Sequence, residues 1–146
     1  MNNHQQSTLK VGLRHSEQLR VEPCHTVPQV ETRWPGFRDM PSVLATAMMI
    51  AFIEETCIRG LGPYLAPGHK TVGTHVDVSH VAATPVGMVV TAEIELTRIE
   101  GKSLFFRVSC RDEGGLIGEG LHRRAIIDEE RFNRRVQEKA GQVRGS

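Results

Sequence analysis

The pattern of apolar positions predicts one long helix in the first half of the chain. In the stretch 43–53 the only polar residue is Thr46, and residues 42–59 contain neither glycine nor proline. A run of this length, rich in Ala, Met and Leu, favours a helix over a strand. Ser42 is a plausible N-cap, and the glycines and prolines of 59–68 end the helix. Because apolar residues cover nearly every face of its first three turns, we expect the helix to be largely buried.

After the helix, apolar and polar residues alternate with the period of two that is typical of half-buried strands. In the segment 89–97, Val90, Ala92, Ile94 and Leu96 share one face, while threonines and glutamates occupy the other. Short turns that contain glycine separate successive segments, which indicates an antiparallel sheet. The strands predicted in this way are a short one at 17–23 and four long ones at 70–84, 89–97, 104–111 and 116–127.

This order of elements predicts an α+β hotdog fold, in which a curved antiparallel sheet wraps around one long central helix. A single apolar helix needs a sheet to bury it, and Asp128 caps a short C-terminal amphipathic helix. The domain is predicted at 9–140, with flexible segments at 1–8 and 141–146. Such a sheet leaves an edge exposed. Pairing of two edges across a two-fold axis would cover it, so we expect a homodimer.

The composition excludes several classes of protein. The 146 residues suit one domain, and 39% hydrophobic with 24% charged residues are typical of a globular chain. The 18 Lys and Arg residues against 17 Asp and Glu give a net charge of +1, so nucleic acid is a poor candidate partner. No apolar run approaches the roughly 20 residues that cross a bilayer, and residues 1–10 do not form a secretory signal. We therefore expect a cytoplasmic protein that binds neither nucleic acid nor membrane, with three reduced and mostly structural cysteines.

Two polar side chains in the apolar helix mark candidate chemistry. Glu54 follows Thr46 by eight residues, which places the two about 12 Å apart along the helix and about 80° apart around it. They are too distant to bond each other, so other groups must satisfy them. Thr46 could bond back to a carbonyl one turn earlier, and Glu54 could mark where the helix meets solvent. Glu55, on a different face, is interpreted as solvated.

The strands carry the other candidate residues. His80 is a candidate proton carrier because the ordinary pKa of histidine suits proton transfer near neutrality, although a lone strand histidine is more often a hydrogen-bonded or surface residue. His75 and Asp77 share a face, but no second cluster of His or Cys completes a metal site. Arg123 and Arg124 are adjacent, so one of them points inward, where we expect it to meet a carboxylate.

The loop at 32–41 combines two prolines and a glycine with three large apolar side chains, Trp34, Phe37 and Met40. Such a loop is expected to pack onto another part of the protein, either as a lid over a pocket or as a plug that seals the core. The residues of the loop do not decide between these two alternatives.

Three segments resemble the fluoroacetyl-CoA thioesterase group of hotdog thioesterases, in the same order and at matching spacing. They read PSVLATAMMIAFIEETCIRGLGPYLAPG from residue 41, VGTHVDVSHVAATPVG from residue 72 and IGEGLHRRAII from residue 117. The similarity covers residues 9–138, which is nearly the whole predicted domain.

The resemblance implies a set of site residues. It identifies Thr46, Glu54 and His80 as catalytic, Gly73 as a glycine near the bound acyl group, and Arg124 as a residue that helps to shape the acyl pocket. It also implies a homodimer with pockets close to the subunit interface. Such an enzyme would bind short acyl-CoA thioesters and hydrolyse them without a metal or an organic cofactor.

The lid region departs from the family pattern. A family phenylalanine that contributes to the preference for fluorinated substrates is replaced here by Met40, and both Phe37 and Met40 are expected to border the substrate. Methionine is flexible and polarizable, so it could still close a pocket, but less selectively. General acyl-CoA thioesterase activity therefore carries over more safely than fluoroacetyl specificity, and the preferred acyl group stays open.

On this interpretation Thr46 and Glu54 form the nucleophilic side of the site, either directly or by positioning water, and His80 transfers the proton. The backbone N–H near Gly73 is a candidate oxyanion donor, because glycine permits a close approach. Two other classes of function stay open. One is a non-hydrolytic acyl-CoA-binding or dehydratase-like hotdog protein, and the other is a structural module with an inert pocket.

Overall fold

The computed structural model describes residues 8–144, so the predicted flexible segment at 1–8 lies almost wholly outside the described residues. Within this range, five strands and four α-helices follow one another. The strands are β1 Arg14–Arg20, β2 His69–Val78, β3 Val89–Glu100, β4 Ser103–Asp112 and β5 Gly115–Asp128. The helices are α1 Val27–Val30, α2 Pro35–Arg38, α3 Thr46–Leu61 and α4 Glu129–Arg144.

The five strands form one antiparallel sheet in the order β1-β3-β4-β5-β2. The predicted tight turns between β3, β4 and β5 are present. The predicted tight turn from the preceding strand into β3 is wrong, since β2 ends at Val78 and pairs with β5 instead. Strands β2 and β3 are three positions apart in the sheet, roughly 14 Å at ordinary strand spacing. The connection at 79–88 has to cover that distance.

Alternation along β3 and β4 places one face of the sheet against α3, as predicted. The buried side chains of β3 are Val90, Ala92, Ile94 and Leu96, and those of β4 are Leu104, Phe106, Val108 and Cys110. They form one core cluster with the inward side chains of α3, Met49, Ile53, Cys57 and Leu61. The hotdog architecture of a curved sheet around a central helix is therefore confirmed.

Helix α3 begins later than predicted and is less buried than predicted. Its N-cap is Ala45 and not Ser42, because the preceding residues run extended and are held by backbone bonds such as that from the Leu44 N–H to the Thr84 carbonyl. Only one face of the helix is buried in this chain. Ala47, Ala51 and Ile58 are exposed on the opposite face. An apolar helix face that is exposed in the single chain is typical of a surface that another molecule covers.

The C-terminal helix α4 is capped as predicted, since Oδ1 of Asp128 accepts a hydrogen bond of 3.1 Å from the Arg131 N–H. The helix has 16 residues and is longer than expected, and none of them is buried. Residues 141–144 of the predicted flexible tail continue this helix. No helix in the described range combines the length and the apolar character needed to cross a membrane.

Candidate active site

The first group of candidate residues pairs Thr46 with His80. The Thr46 hydroxyl oxygen lies 2.7 Å from Nδ1 of His80. Thr46 is the first residue of α3, so it meets this ring instead of a carbonyl one turn earlier in the helix. His80 lies in the connection after β2 and not on a strand as predicted. The loop that leaves the sheet edge therefore carries the ring to the N-terminus of the helix.

The electrostatic surroundings of His80 favour its neutral form. Burial lowers the pKa of His80 below its ordinary value, and the Ala82 backbone offsets this only in part. Nε2 of His80 is buried and has no hydrogen-bond partner among residues 8–144. A neutral ring that carries its proton on Nε2 leaves Nδ1 free to accept the Thr46 hydroxyl proton. This is the arrangement of a hydroxyl nucleophile with its general base.

The second group centres on the ion pair between Glu54 and Arg124. Nη1 of Arg124 donates to Oε2 of Glu54 over 2.9 Å. The Arg124 side chain is 3% exposed and that of Glu54 is 37% exposed. The inward arginine therefore meets a carboxylate as predicted, while Arg123 turns outward and lies over the ring of Phe105. The partner of Glu54 in this chain is Arg124 and not His80.

Thr71 and His122 complete the surroundings of Arg124, and the sequence reasoning missed both. The Thr71 hydroxyl accepts from Nε of Arg124 over 2.9 Å, and the Thr71 carbonyl accepts from Nη2 over 3.0 Å. Nε2 of His122 lies 3.1 Å from Nη1 of Arg124. The spacing of His122 and Arg124 is two residues on one strand, which puts both on the same face of β5. That periodicity was the available signal for His122.

Gly73 lies directly beside the Glu54 carboxylate. A Cβ atom on Gly73 would lie 2.5 Å from Oε2 of Glu54, and 3.4 Å from Nη1 of Arg124. The first distance is far below an ordinary contact, so a side chain here would displace the carboxylate. The family glycine near the acyl group therefore makes room in this chain for the Glu54–Arg124 ion pair.

The two groups are separate in the single chain. No hydrogen bond or ion pair among residues 8–144 links Glu54 to Thr46 or to His80. On α3, Thr46, Ile50 and Glu54 occupy successive positions of one i, i+4 ridge, so half-buried Ile50 separates the hydroxyl from the carboxylate. The expected joint action of Thr46, Glu54 and His80 in one site stays a prediction.

The loop before α3 lies outside the core. Trp34 and Phe37 pack edge to face with ring centroids 5.2 Å apart. Trp34 and Met40 are about half exposed, and Phe37 is partly buried. None of the three belongs to the core cluster, so the interpretation of this loop as a plug that seals the core is wrong. A lid that closes on a substrate stays a prediction for Phe37 and Met40.

One group of side chains has metal-ligand chemistry but a structural explanation. The potential ligand atoms of Glu22, Cys24 and His25 lie within 4.8 Å of one another. Nδ1 of His25 accepts from the Glu22 N–H over 3.0 Å, and the Glu22 carboxylate accepts from the His25 backbone. These bonds cap a short 3₁₀ turn and use ligand atoms that a metal would need. No metal is assigned to this group.

Cys57 is the buried thiol beside the second group, and it is a poor nucleophile. Burial raises the pKa of Cys57 to about 12, and the charges of Arg124 and Glu54 act on it more weakly. A thiol with such a pKa is not ionised near neutrality.

Comparisons with known proteins identify the family to which this chain belongs. The family model for the fluoroacetyl-CoA-specific thioesterase FlK matches residues 21–130. The fluoroacetyl-CoA thioesterase of Streptantibioticus cattleyicolor is 41% identical over 131 residues, which cover 90% of this chain and 94% of that protein.

Solved structures of FlK and of another hotdog protein are similar to this chain. A structure of the fluoroacetyl-CoA thioesterase FlK superposes with a TM-score of 0.89 at 41% identity, over 91% of this chain and 98% of that one. A hot-dog-like protein from Thermanaerovibrio acidaminovorans superposes with a TM-score of 0.77 at 22% identity, over 90% and 93% of the two chains, and supports the fold alone. The family match and the identity over most of both chains show that this chain belongs to the fluoroacetyl-CoA-specific thioesterase family of hotdog proteins.

Proposed function

We propose that this protein hydrolyses a short-chain acyl-CoA thioester, with fluoroacetyl-CoA or another substituted acetyl-CoA among the candidate substrates. Membership of a thioesterase family makes it a thioester hydrolase. The observation that carries the assignment of the site is the hydrogen bond of 2.7 Å between the Thr46 hydroxyl and Nδ1 of His80. It is the contact that a hydroxyl needs in order to lose its proton during attack.

In this proposal His80 acts as the general base and Thr46 as the group from which it takes the proton. A thioester carbonyl is electrophilic, so the enzyme needs an activated oxygen and a site for the developing negative charge. The neutral state of half-buried His80 suits the first task. Thr46 either attacks the carbonyl itself or passes the proton of a bound water to His80. Both routes use the same hydrogen bond.

Glu54 is proposed to act on the acyl side of the site. Its Oε2 atom is engaged by Arg124, and no hydrogen bond to Oε1 is formed within the described part of the chain. The Glu54 side chain is 37% exposed, so we place a water molecule on Oε1 as hydrogen-bond donor. A carboxylate held on one oxygen and open on the other can orient water toward a carbonyl carbon.

The N-terminus of α3 is proposed as a second place for the oxyanion, besides the backbone near Gly73. The first intrahelical bond of α3 runs from the Met49 N–H to the Ala45 carbonyl. The N–H groups of Ala47 and Met48 precede it and have no acceptor within the helix. They lie one and two residues after the Thr46 hydroxyl. Preorganised N–H donors of this kind stabilise the negative oxygen of a tetrahedral intermediate.

The acyl group is proposed to lie along the ridge between the two groups, over Ile50. The exposed apolar face of α3 and the exposed edge strand β2 flank this ridge. A second copy of the chain would cover both, and the proposed homodimer would then close the pocket at the subunit interface. Phe37 and Met40 are proposed to cover the substrate from the loop before α3. The proposed location of the protein is the cytoplasm.

The test is an acyl-CoA panel that varies chain length and includes fluoroacetyl-CoA. Free CoA is followed by chromatography, because exposed Cys24 would react with a thiol reagent. We expect turnover of at least one short acyl-CoA, and large losses in Thr46→Val, Glu54→Gln and His80→Ala. No CoA release from any substrate would refute the hydrolase, and hydration of an enoyl-CoA would favour the dehydratase-like alternative.

A further inference from the structure

We propose that His122 is a positioning residue, which holds Arg124 so that the guanidinium contacts only one oxygen of Glu54. The proposal rests on the proposed function of Glu54 and adds a residue to the site. His122 is 2% exposed and lies on β5, two residues before Arg124. No hydrogen bond among residues 8–144 joins it to Glu54, and it would act on Glu54 through the arginine.

The guanidinium of Arg124 is bonded on three sides. An arginine has five N–H donors in a fixed plane, and four of them have acceptors here. Nε and Nη2 donate to the hydroxyl and the carbonyl of Thr71. Nη1 carries two protons. One goes to Oε2 of Glu54 over 2.9 Å, and the other points to Nε2 of His122 over 3.1 Å.

The ring of His122 is fixed in the form that can accept this second proton. Nδ1 of His122 lies 2.8 Å from the His75 carbonyl oxygen, which can only accept, so Nδ1 carries the proton. Nε2 of the neutral ring then has a free lone pair toward Arg124. Burial and the Arg124 charge both lower the pKa of His122, which keeps the ring neutral. The chain of donors runs from Arg124 to His122 and on to the His75 carbonyl.

The second proton of Nη1 therefore has a partner other than Glu54. Without Nε2 of His122, a buried N–H of a charged group would lose its acceptor, which is costly. The other oxygen of Glu54 is the charged acceptor on the same side of the guanidinium. A carboxylate readily binds an arginine through both oxygens. The removal of Nε2 would thus draw Oε1 onto Arg124 and away from water.

A purely structural role for His122 makes a different prediction. The ring also ties β5 to the edge strand β2 through the His75 carbonyl. If this tie were the whole function of His122, the donor at Nδ1 would matter and the acceptor at Nε2 would not. Two amide side chains separate these roles, because Asn places its amide where Nδ1 lies and Gln places its amide near Nε2.

The experiment compares His122→Gln, His122→Asn and His122→Phe in the full-length protein. We expect Gln to retain most of the kcat of the natural enzyme, while Asn and Phe lower kcat by about 100-fold with little change in KM. High activity in Asn together with low activity in Gln would overturn the proposal in favour of the strand tie. Equal activity in all three variants would also overturn it.

A second measurement does not depend on catalysis. Glutamate labelled with carbon-13 at the carboxyl group gives a Glu54 resonance, which is assigned by its loss in Glu54→Gln. We expect the chemical shift to stay unchanged in His122→Gln and to move in His122→Asn and His122→Phe. An identical shift in all variants would overturn the positioning role. If no acyl-CoA is hydrolysed, the proposed function fails, and the carboxyl resonance still decides the role of His122.

Discussion

Oε2 of Glu54 lies only 2.5 Å from the position that a Cβ atom would take on Gly73. Any residue other than glycine at position 73 would therefore collide with the carboxylate. The carboxylate is anchored by a hydrogen bond of 2.9 Å from Nη1 of Arg124. Gly73→Ala should therefore push the carboxylate away from its place without changing its chemistry. We expect kcat/KM to fall by about 100-fold, because small displacements of catalytic groups have effects of this size.

The control for this substitution is Gly141→Ala. Nothing lies within 4 Å of a Cβ at Gly141, and the residue is exposed on helix α4. Activity should stay near that of the natural enzyme. Thermal unfolding of both variants separates loss of fold from loss of geometry. A fully active Gly73→Ala enzyme would show that the position of the Glu54 carboxylate does not matter for turnover.

The hydroxyl of Thr46 is predicted to be essential, while the methyl group is not. Thr46→Val removes the bond to Nδ1 of His80 and should lower kcat by about 10²–10⁴-fold, the usual range for general base catalysis. Thr46→Ser should retain a substantial part of the activity. Thr56→Val is the matched control in the same helix, since its hydroxyl bonds only to the Phe52 carbonyl. Equal activities of the Val and Ser variants at position 46 would contradict the role of the hydroxyl.

The pH dependence of the enzyme should reflect the neutral state of His80. Burial lowers the pKa of His80, so the active, uncharged ring persists below the ordinary histidine value of about 6.5. The acid limb of kcat/KM should fall at a pH below that value. If kcat/KM already falls on acidification at a pH above 6.5, the assignment of His80 as the base would be contradicted.

The stability of the protein should depend on pH through two histidines, half-buried His80 and buried His122. The pKa values of His80 and His122 are lowered in the folded state, so the unfolded chain binds more protons on acidification. The free energy of unfolding should be at its full value above about pH 6.5 and should decrease as the pH falls from there toward the lowered pKa values. Denaturant midpoints measured from pH 7 to pH 5 give the slope, and His122→Gln should reduce it.

Much of the fold could be predicted because it follows from local periodicity. The alternation of Val90, Ala92, Ile94 and Leu96 predicts a strand face, and the glycine-rich turns predict the hairpins. The position of β2 could not be predicted in this way, because pairing with β5 depends on the whole sheet. His80 therefore turned out to lie in a connection and not on a strand.

The sequence offered candidate residues for the site, but it could not predict most of the contacts between them. Adjacent Arg123 and Arg124 required that one face inward, and the structure gives it Glu54 as partner. The bond between Thr46 and His80 depends on where α3 begins, and the apolar pattern cannot locate that start because extended residues before Thr46 are equally apolar. His122 was missed because its two-residue spacing from Arg124 places both on one face of β5, but does not show that the ring accepts a hydrogen bond from the guanidinium.

The three cysteines should divide into one reactive and two protected thiols. Cys24 is exposed, whereas Cys57 and Cys110 are buried with pKa values raised to about 12. A thiol reagent at neutral pH should modify one cysteine in the native protein and all three after unfolding. Peptide mapping should locate the label on Cys24. Rapid native labelling of Cys57 would contradict the packing of α3 against the sheet.

The exposed face of α3 predicts the assembly state. Ala47, Ala51 and Ile58 are open to solvent, and edge strand β2 is mostly exposed, with no alternation of buried positions, whereas β1 at the other edge alternates. A second copy that covers α3 and β2 would bury both. Sedimentation should give twice the chain mass at micromolar concentration. Ala51→Arg should yield a less active monomer, while Ala140→Arg, on exposed α4, should remain a dimer. A fully active monomer of the natural sequence would contradict the placement of the pocket at a subunit interface.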